Sequence, residues 1–208
     1  NDATIRLVHY YFNRLGKPNK KRILSRNNAY HGTTYLAATL TGIESNNWDF
    51  DTLDHLVTHL SEANCYRRPA GMSEADYCDH LVAELEETIA DIGAGNIAAF
   101  IAEPIMGAGG VLMAPQGYHA RMQAVCRAHD ILYIADEVVT GFGRLGHFFA
   151  SEAVFDTQPD IINCAKGLSS GYAPLGATLI SDAIYEVLGT PQRKGGVLST
   201  GFTYSGHP

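Results

Sequence analysis

The sequence lacks long apolar runs. None of its 208 residues falls in a stretch of the roughly 18 consecutive apolar residues that a membrane span needs. The chain also has no charged-then-apolar leader of the kind that directs secretion. We therefore expect no membrane partner and a soluble, cytoplasmic protein.

Positive charge is scarce as well, because 15 Lys and Arg residues stand against 22 Asp and Glu residues, giving a formal net charge of -7. Such a chain has no general attraction for a phosphate backbone, so nucleic acid is not an expected partner. The one dense basic cluster lies between a predicted helix and a predicted strand, which favours a solvated turn: Lys17, Lys20, Lys21 and Arg22.

Cysteine is sparse and never occurs as a C-x-x-C pair, which favours reduced structural thiols at Cys65, Cys78, Cys126 and Cys164. His55 and His59 have the i,i+4 spacing of a helical metal-binding pair. No Glu stands beside the first His and no third ligand lies nearby, so a solvated helix face is favoured over zinc.

Apolar residues make up 46% of the chain and charged residues 18%, which is typical of a soluble globular protein. Apolar runs of four to six residues alternate with helical patterns, as in a parallel sheet that is buried on both faces. The sequence therefore predicts an α/β fold with a doubly wound, mostly parallel sheet and no internal repeat. The predicted strands are 22–26, 97–102, 131–135, 161–165 and 176–180.

The helical patterns follow the spacing of apolar residues. A capping box at Ser73 and Asp76 opens the clearest of them, and Gly93 ends it. Residues 51–62 also read as a helix, because Leu53, Leu56, Val57 and Leu60 fall on one helical face. The other predicted helices are 4–15, 35–40 and 115–128.

Three charged residues each follow directly after an apolar run: Glu103, Asp136 and Lys166. In parallel sheets, ligands bind outside the carboxyl ends of the strands, so these side chains are expected at one edge. Most lysines are solvated surface charges. At the end of a buried strand, however, we expect the Lys166 ammonium to be partly desolvated, which lowers its pKa and favours a nucleophile toward carbonyls.

An isolated Asp136 would by default cap the turn that follows it. Beside a lysine that forms a Schiff base, a fixed carboxylate has another task, which is to hold a pyridine nitrogen protonated so that the ring accepts electrons. Lys166 and Asp136 together therefore favour a site for a pyridine-containing cofactor that forms a Schiff base.

Two segments carry a resemblance to a known family. Residues 134–144 read IADEVVTGFGR, and residues 164–172 read CAKGLSSGY, with Lys166 placed 30 residues after Asp136. Together they resemble the signature of the class III aminotransferases. The resemblance extends along the chain, from Asn1-Asp2 through Tyr30-His31-Gly32 and Ala102-Glu103-Pro104 to the final segment, 201–208.

The resemblance implies the large domain of the type I fold of transferases that depend on pyridoxal 5'-phosphate. It implies that Lys166 forms a Schiff base with this cofactor and moves the substrate proton, and that Asp136 pairs with the pyridine nitrogen. It further implies that Tyr30 stacks on one face of the ring, Val138 packs on the other, and His31 belongs to the cofactor site.

The resemblance also implies that Glu103 lies close to Asp136 and supports the network around the ring. Thr203 would reach across a homodimer interface to the phosphate of the neighbouring subunit's cofactor, so the active sites would be shared. The expected reaction moves an amino group from an amine or ω-amino acid to a keto acid such as pyruvate.

Two alternatives stay open at this point. The glycine run 107–110 suggests a nucleotide-binding α/β domain, although it lacks the G-x-G-x-x-G spacing. The family's phosphate-binding Gly-Ser turn would precede Asn1, and its smaller carboxyl-terminal domain would follow Pro208. Residues 1–208 are therefore expected to be part of the cofactor-binding large domain, and these residues alone could be a catalytically silent folding core.

Overall fold

The computed structural model describes residues 1–191, 198 and 200–203. Its helices are α1 (Asp2–Arg14), α2 (Tyr35–Leu40), α3 (Glu74–Ile92), α4 (Tyr118–Ala128), α5 (Ala150–Phe155) and α6 (Asp182–Gly189). Its strands are β1 (Arg22–Arg26), β2 (Val57–Leu60), β3 (Ile97–Ala102), β4 (Leu132–Asp136), β5 (Ile161–Cys164) and β6 (Ala177–Ile180).

The strands form one sheet in the order β2-β1-β3-β4-β5-β6. The first five strands are parallel, and β6 returns antiparallel to β5. The carboxyl ends of β1 to β5 therefore meet at one edge of the sheet, which we call the carboxyl edge. The predicted mostly parallel sheet is confirmed.

Apolar side chains of the strands alternate between two cores, because successive residues of a strand point to opposite faces. Ile23, Ile101 and Ile134 pack with α1 and α6 on one face. Leu24 and Phe100 pack with α3 and α4 on the other. Helices therefore cover both faces of the sheet, as in a doubly wound α/β fold.

The start of α3 confirms the predicted capping box. Ser73 Oγ accepts a hydrogen bond from the backbone N–H of Asp76 at 3.1 Å and donates one to Asp76 Oδ2 at 2.7 Å. Gly93 ends the helix with a positive φ of 84°, a conformation that glycine adopts without steric cost. Both ends of the helix therefore follow from local sequence signals.

The helix predicted over 51–62 is wrong, because this segment contains the edge strand β2. Residues Val57 and Leu60 are buried at its ends, and the strand pairs in parallel with β1. The spacing of the apolar residues fitted a helix, but pairing with β1 decides the conformation. His59 lies in this strand, so it shares no helix face with His55.

The remaining predicted elements are confirmed with small shifts at their ends. The largest shift is at α4, which begins at Tyr118, three residues after the predicted start. Gly117 before it adopts a left-handed φ of 78° that ends the loop from Pro115. Among the described residues, no helix is both long enough and apolar enough to cross a bilayer.

At the opposite edge of the sheet, which we call the amino edge, Lys20 joins three loops. Its side chain is 4% exposed, and Nζ donates hydrogen bonds to the carbonyl oxygens of Ala94 at 3.1 Å and Asp130 at 2.6 Å. The ammonium also lies 4.9 Å from the centre of the Phe12 ring. Lys20 is therefore a buried tie between the segments that precede β1, β3 and β4.

Candidate active site

The carboxyl edge collects the residues that the sequence singled out. Tyr30 and His31 follow β1, Glu103 follows β3, Asp136 is the last residue of β4, and Lys166 follows β5. They therefore come from four neighbouring strands of the sheet. This placement confirms the expectation that polar residues after the apolar runs share one edge.

Asp136 is a buried carboxylate with three hydrogen-bond donors. Its Oδ2 accepts from His31 Nδ1 at 2.8 Å and from Asn1 Nδ2 at 2.9 Å, and its Oδ1 accepts from the backbone N–H of Val138 at 3.2 Å. Burial by itself raises the pKa of Asp136, but the donors outweigh this effect, His31 first, so the pKa lies below its usual value. Asp136 is therefore held in its charged form.

The donor Asn1 is itself held by a chain of polar side chains. Asn163 Nδ2 donates to Asn1 Oδ1, and Thr4 Oγ1 donates to Asn163 Oδ1 at 2.7 Å. Thr178 Oγ1 lies 2.8 Å from Thr4 Oγ1, so β6 joins the network. Sequence reasoning missed Thr4, Asn163 and Thr178. The signal that could have found Asn163 is an amide inside an otherwise apolar strand.

His31 is placed behind Asp136. Its side chain is fully buried, its backbone N–H donates to Thr41 Oγ1 at 2.9 Å, and its Nε2 has no hydrogen-bond partner among the described residues. The ring nitrogen that is bonded, Nδ1, faces the carboxylate of Asp136. In the described chain, His31 therefore stabilises the charged carboxylate of Asp136.

Glu103 supports the loop that carries Tyr30. Its Oε1 accepts from the backbone N–H of Tyr30 at 2.9 Å, and its Oε2 accepts from the backbone N–H of Gly107 at 3.0 Å. No hydrogen bond between described residues joins Glu103 to Asp136. The carboxylate therefore fixes the backbone on which the half-buried Tyr30 ring is mounted.

The segment of Glu103 and Pro104 is held from behind by two buried side chains. Arg26 Nη2 donates to the carbonyl oxygen of Glu103 at 2.7 Å, and His119 Nε2 lies 2.9 Å from that of Pro104. A carbonyl only accepts, so His119 Nε2 donates, and His119 Nδ1 accepts from Tyr133 Oη at 2.9 Å. Burial, then the charge of Arg26, lowers the pKa of His119 to about 3.

Lys166 stands in a cleft at the carboxyl edge. The cleft has a volume of about 340 Å³ and is lined by Lys166, Gly167 and the loop after β4: Val139, Gly141, Phe142, Gly143 and Arg144. Lys166 has a positive φ of 41°, which is uncommon for a side chain with a Cβ. The expected desolvation of its amine is wrong for the described chain, because Lys166 is exposed. The turn after β5 extends into solvent at this edge.

Val138 and Thr203 complete the set of expected site residues. Val138 is half-buried next to Asp136. Thr203 is exposed, and residues 204–208 of the expected phosphate segment lie outside the described residues. The glycine run 107–110 forms a turn that ends in a bridge between Met106 and Leu112, and it does not open a helix.

The chemistry of these groups fits pyridoxal phosphate. The charged Asp136 suits a protonated pyridine nitrogen, and a primary amine at the end of the neighbouring strand suits the aldehyde of the cofactor. The half-buried Tyr30 offers an aromatic ring at the same edge. The fold and the site thus define the class of transferase that uses this cofactor.

Comparison with protein families identifies the particular family. The protein-family model described as aminotransferase class-III matches residues 1–208 of this chain. The chain therefore belongs to the class III aminotransferases, whose cofactor is pyridoxal phosphate.

Curated relatives agree with this family. A probable gamma-aminobutyrate transaminase 4 of Oryza sativa subsp. japonica is 46% identical over 209 residues, covering 100% of this chain and 43% of the relative. A vanillin aminotransferase of Capsicum frutescens is 45% identical, covering 100% of this chain and 45% of the relative. The chain thus spans less than half the length of these relatives.

Solved structures agree in fold. An (S)-enantioselective ω-transaminase from Thermomicrobium roseum is 43% identical with a TM-score of 0.93, covering 98% of this chain and 45% of that chain. An ω-transaminase from Pseudomonas jessenii in complex with PMP is 44% identical with a TM-score of 0.90, again covering 98% of this chain and 45% of that chain. The fold is thus that of the transferases dependent on pyridoxal phosphate.

Proposed function

We propose that the complete protein is a transaminase that moves an amino group from an amine or ω-amino acid to a keto acid such as pyruvate. The observation that carries this proposal is the placement of a charged, buried Asp136 and of Lys166 at the carboxyl ends of two neighbouring strands. When bound, pyridoxal phosphate supplies an aldehyde that condenses with amines and a pyridine ring that accepts electrons.

Asp136 would hold the pyridine nitrogen in its protonated form. A buried carboxylate with a lowered pKa keeps its negative charge at neutral pH, so it stabilises a proton on a nitrogen beside it. Asn1, His31 and the amide of Val138 fix the carboxylate before any ligand arrives. The electrostatic contribution therefore needs no rearrangement during the reaction.

Tyr30 and Val138 would enclose the ring from its two faces. Both are half-buried at the carboxyl edge, and each lies on a backbone that a carboxylate fixes. For Tyr30 this carboxylate is Glu103, and for Val138 it is Asp136. The two side chains would thus orient the ring relative to Lys166 and keep water from its faces.

Lys166 would hold the cofactor covalently through its amine, the substrate amine would displace Nζ from that bond, and the freed Nζ would then move a proton from the substrate carbon. The chain places Lys166 in a cleft that is open to solvent, which gives substrates access to the amine. A lysine and a fixed acid at the ends of neighbouring strands are the arrangement expected for this type of covalent catalysis.

The substrate class is proposed from the names of the relatives. Curated relatives from Oryza sativa and Solanum lycopersicum carry names of gamma-aminobutyrate transaminases, and gamma-aminobutyrate is an ω-amino acid. A solved structure of a transaminase with L-ala is 44% identical, and transfer of the amino group of L-ala would leave pyruvate. These names favour an ω-amino acid or amine as donor and pyruvate as acceptor.

We also propose that the complete protein is a homodimer in which Thr203 reaches the partner's cofactor phosphate. Thr203 is exposed in the described chain, so its hydroxyl is free to meet another subunit. A dianionic phosphate needs several donors in one place, and a hydroxyl from a partner would add one.

The experiment that tests the proposed reaction replaces Lys166 in the complete protein. Lys166→Ala removes the amine that would hold the cofactor and move the proton, so amino transfer from gamma-aminobutyrate to pyruvate is expected to vanish. Alanine formation is measured by chromatography. Lys17→Ala is the matched control, because Lys17 is an exposed lysine at the amino edge. Near-normal turnover by Lys166→Ala would remove Lys166 from this role.

A further inference from the structure

Glu137 is a carboxylate that the proposed chemistry does not use. It follows Asp136 directly, yet its side chain is fully buried and bonded elsewhere. Its Oε1 accepts from the backbone N–H and the hydroxyl of Ser151 at 2.7 and 2.6 Å, and its Oε2 accepts from the backbone N–H of Ala150 and from Thr140 Oγ1, both at 2.9 Å. All four donors are neutral.

These four bonds join the start of the loop between β4 and α5, residues 137–149, to the first turn of α5. Thr140 lies in the first turn of the loop, whereas Ala150 and Ser151 begin α5. The carboxylate therefore clamps the loop where it leaves the sheet and where it meets the helix. A carboxyl group buried at this depth needs hydrogen-bond donors for its oxygen atoms, and the two ends of the loop supply all four of the bonds described here.

The loop between these ends is closed upon itself. The backbone N–H of Phe142 donates to the carbonyl of Phe148 at 2.7 Å, and that of Gly143 donates to His147 at 2.9 Å. The rings of Phe142 and Phe148 meet edge to face, with centres 5.0 Å apart. Phe142 itself has a left-handed φ of 60°. The hydrogen bonds of Glu137, which we call the clamp, thus hold a loop in which Phe142 and Phe148 pack against each other.

Phe142 lies beside Gly167, the residue after Lys166. A Cβ placed on Gly167 would lie 2.9 Å from the Cβ of Phe142, which no pair of side chains tolerates without movement. The space beside Phe142 therefore admits glycine and no larger residue at position 167 without movement, and Lys166 before it has a left-handed φ. The main chain of Glu137 makes a second link, because its N–H donates to the carbonyl of Asn163 in β5 at 2.8 Å.

We propose that Glu137 is a positioning residue for Lys166: its carboxylate clamps the loop after β4 so that Phe142, resting on Gly167, fixes the direction in which the lysine leaves β5. The role given to Lys166 rests on the proposed function. The mechanical link from Glu137 to Gly167 does not depend on it.

The test is carried out in the complete protein with Glu137→Gln, which keeps the shape of the side chain but presents N–H groups to donors. Backbone hydrogen exchange is measured in the cofactor-free protein at Ala150 and Ser151, which the clamp holds, and at Leu168 and Ser169, whose amides are bonded in the turn after β5. We expect exchange to be about tenfold faster at both places, because the clamp and the lysine turn loosen together.

A matched control and a second variant complete the design. Glu152→Gln removes an exposed carboxylate from the same helix, and its exchange is expected to equal that of the unmodified protein. Phe142→Gly removes the Cβ that lies beside Gly167, and glycine adopts the left-handed φ of this position without steric cost, so exchange should rise at Leu168 and Ser169 but stay unchanged at Ala150 and Ser151. If Glu137→Gln does not fold, Ser151→Ala takes its place, because it removes one hydroxyl donor of the clamp, and faster exchange at Leu168 and Ser169 is again expected, whereas unchanged exchange there would overturn the proposal.

Kinetics of the cofactor-loaded enzyme give an independent reading. Misplacement of the amine is expected to lower kcat about tenfold to a hundredfold in Glu137→Gln, with KM for the amine donor within twofold. Faster exchange at Ala150 and Ser151 alone, with unchanged Leu168, Ser169 and kcat, would show that Glu137 only caps α5 and would overturn the proposal. An equal effect of Glu152→Gln would also overturn it.

Discussion

At the scale of single residues, the site contains three buried carboxylates with different partners. Asp136 is held by His31 and Asn1, Glu103 by the amides of Tyr30 and Gly107, and Glu137 by the ends of one loop. Within the part of the chain that the structure describes, Asp136 is the one of the three whose donors include an ionisable side chain, that of His31. The other two carboxylates therefore act on backbone position, whereas Asp136 keeps a charge for a ligand.

Asp136→Asn tests this distinction in the complete protein. The change keeps the size of the side chain but removes the negative charge, so kcat for amino transfer is expected to fall by about a hundredfold or more while the protein still folds. Steady-state kinetics and circular dichroism measure the two effects. Asp156→Asn is the control, because Asp156 is exposed and its left-handed conformation suits asparagine. An altered KM with an unchanged kcat would contradict the role.

His119 gives a prediction about pH. Its pKa is lowered from 6.5 to about 3 in the folded protein by burial, so only the unfolded state binds its proton between these values. Protonation of His119 in the unfolded state therefore does not lower the free energy of unfolding well above pH 6.5. It lowers this free energy progressively as the pH drops from 6.5 toward 3. Between pH 7 and pH 5, this titration is expected to lower the free energy of unfolding by about 2 kcal/mol.

Urea unfolding of the complete protein at the two pH values measures this loss. His119→Gln is the matched variant, since an amide also accepts from Tyr133 and donates to the carbonyl of Pro104 but does not titrate. The stability difference between the two proteins should shrink or reverse by about 2 kcal/mol at pH 5. An identical pH dependence in both proteins would refute the assignment.

At the scale of elements, the sequence predicted what is local and missed what is distant. The apolar runs of β3 and β4 and the capping box of α3 are local signals, and the elements are there. Strand β2 looked helical, because only its pairing with β1 makes it a strand. Asn163 was missed for a similar reason, since its partners Asn1 and Thr4 are about 160 residues away in sequence.

At the scale of the whole molecule, the sheet has two edges with different tasks. The carboxyl edge presents Asp136 and Lys166, whereas the amino edge is joined by Lys20. The exposure of Lys166 escaped sequence reasoning, because the conformation of the turn after β5 depends on contacts across the edge. Positions along the sheet were thus predictable, but exposure was not.

Lys20→Met tests the tie at the amino edge. The change keeps an apolar stem but leaves the carbonyl oxygens of Ala94 and Asp130 without their charged donor, so the free energy of unfolding is expected to fall by about 2 to 3 kcal/mol. Denaturant unfolding of the complete protein measures the loss. Lys17→Met is the control, because its pair with Asp130 is exposed and contributes less than about 1 kcal/mol. Equal losses in both variants would contradict the buried tie.

The antiparallel pairing of β6 with β5 also bears on the order in which contacts form during folding. Strands β5 and β6 pair across a short connection, whereas Asp136 receives its donors from His31, 105 positions away, and from Asn1, 135 positions away. Short loops close sooner and at lower entropic cost than long ones. During refolding, we therefore expect the hairpin that carries Lys166 to form early and the carboxylate to gain its partners late. Lys166 would then reach its position in the sheet before Asp136 gains its hydrogen bonds. The ability to bind the cofactor would therefore appear only in the final stage of folding.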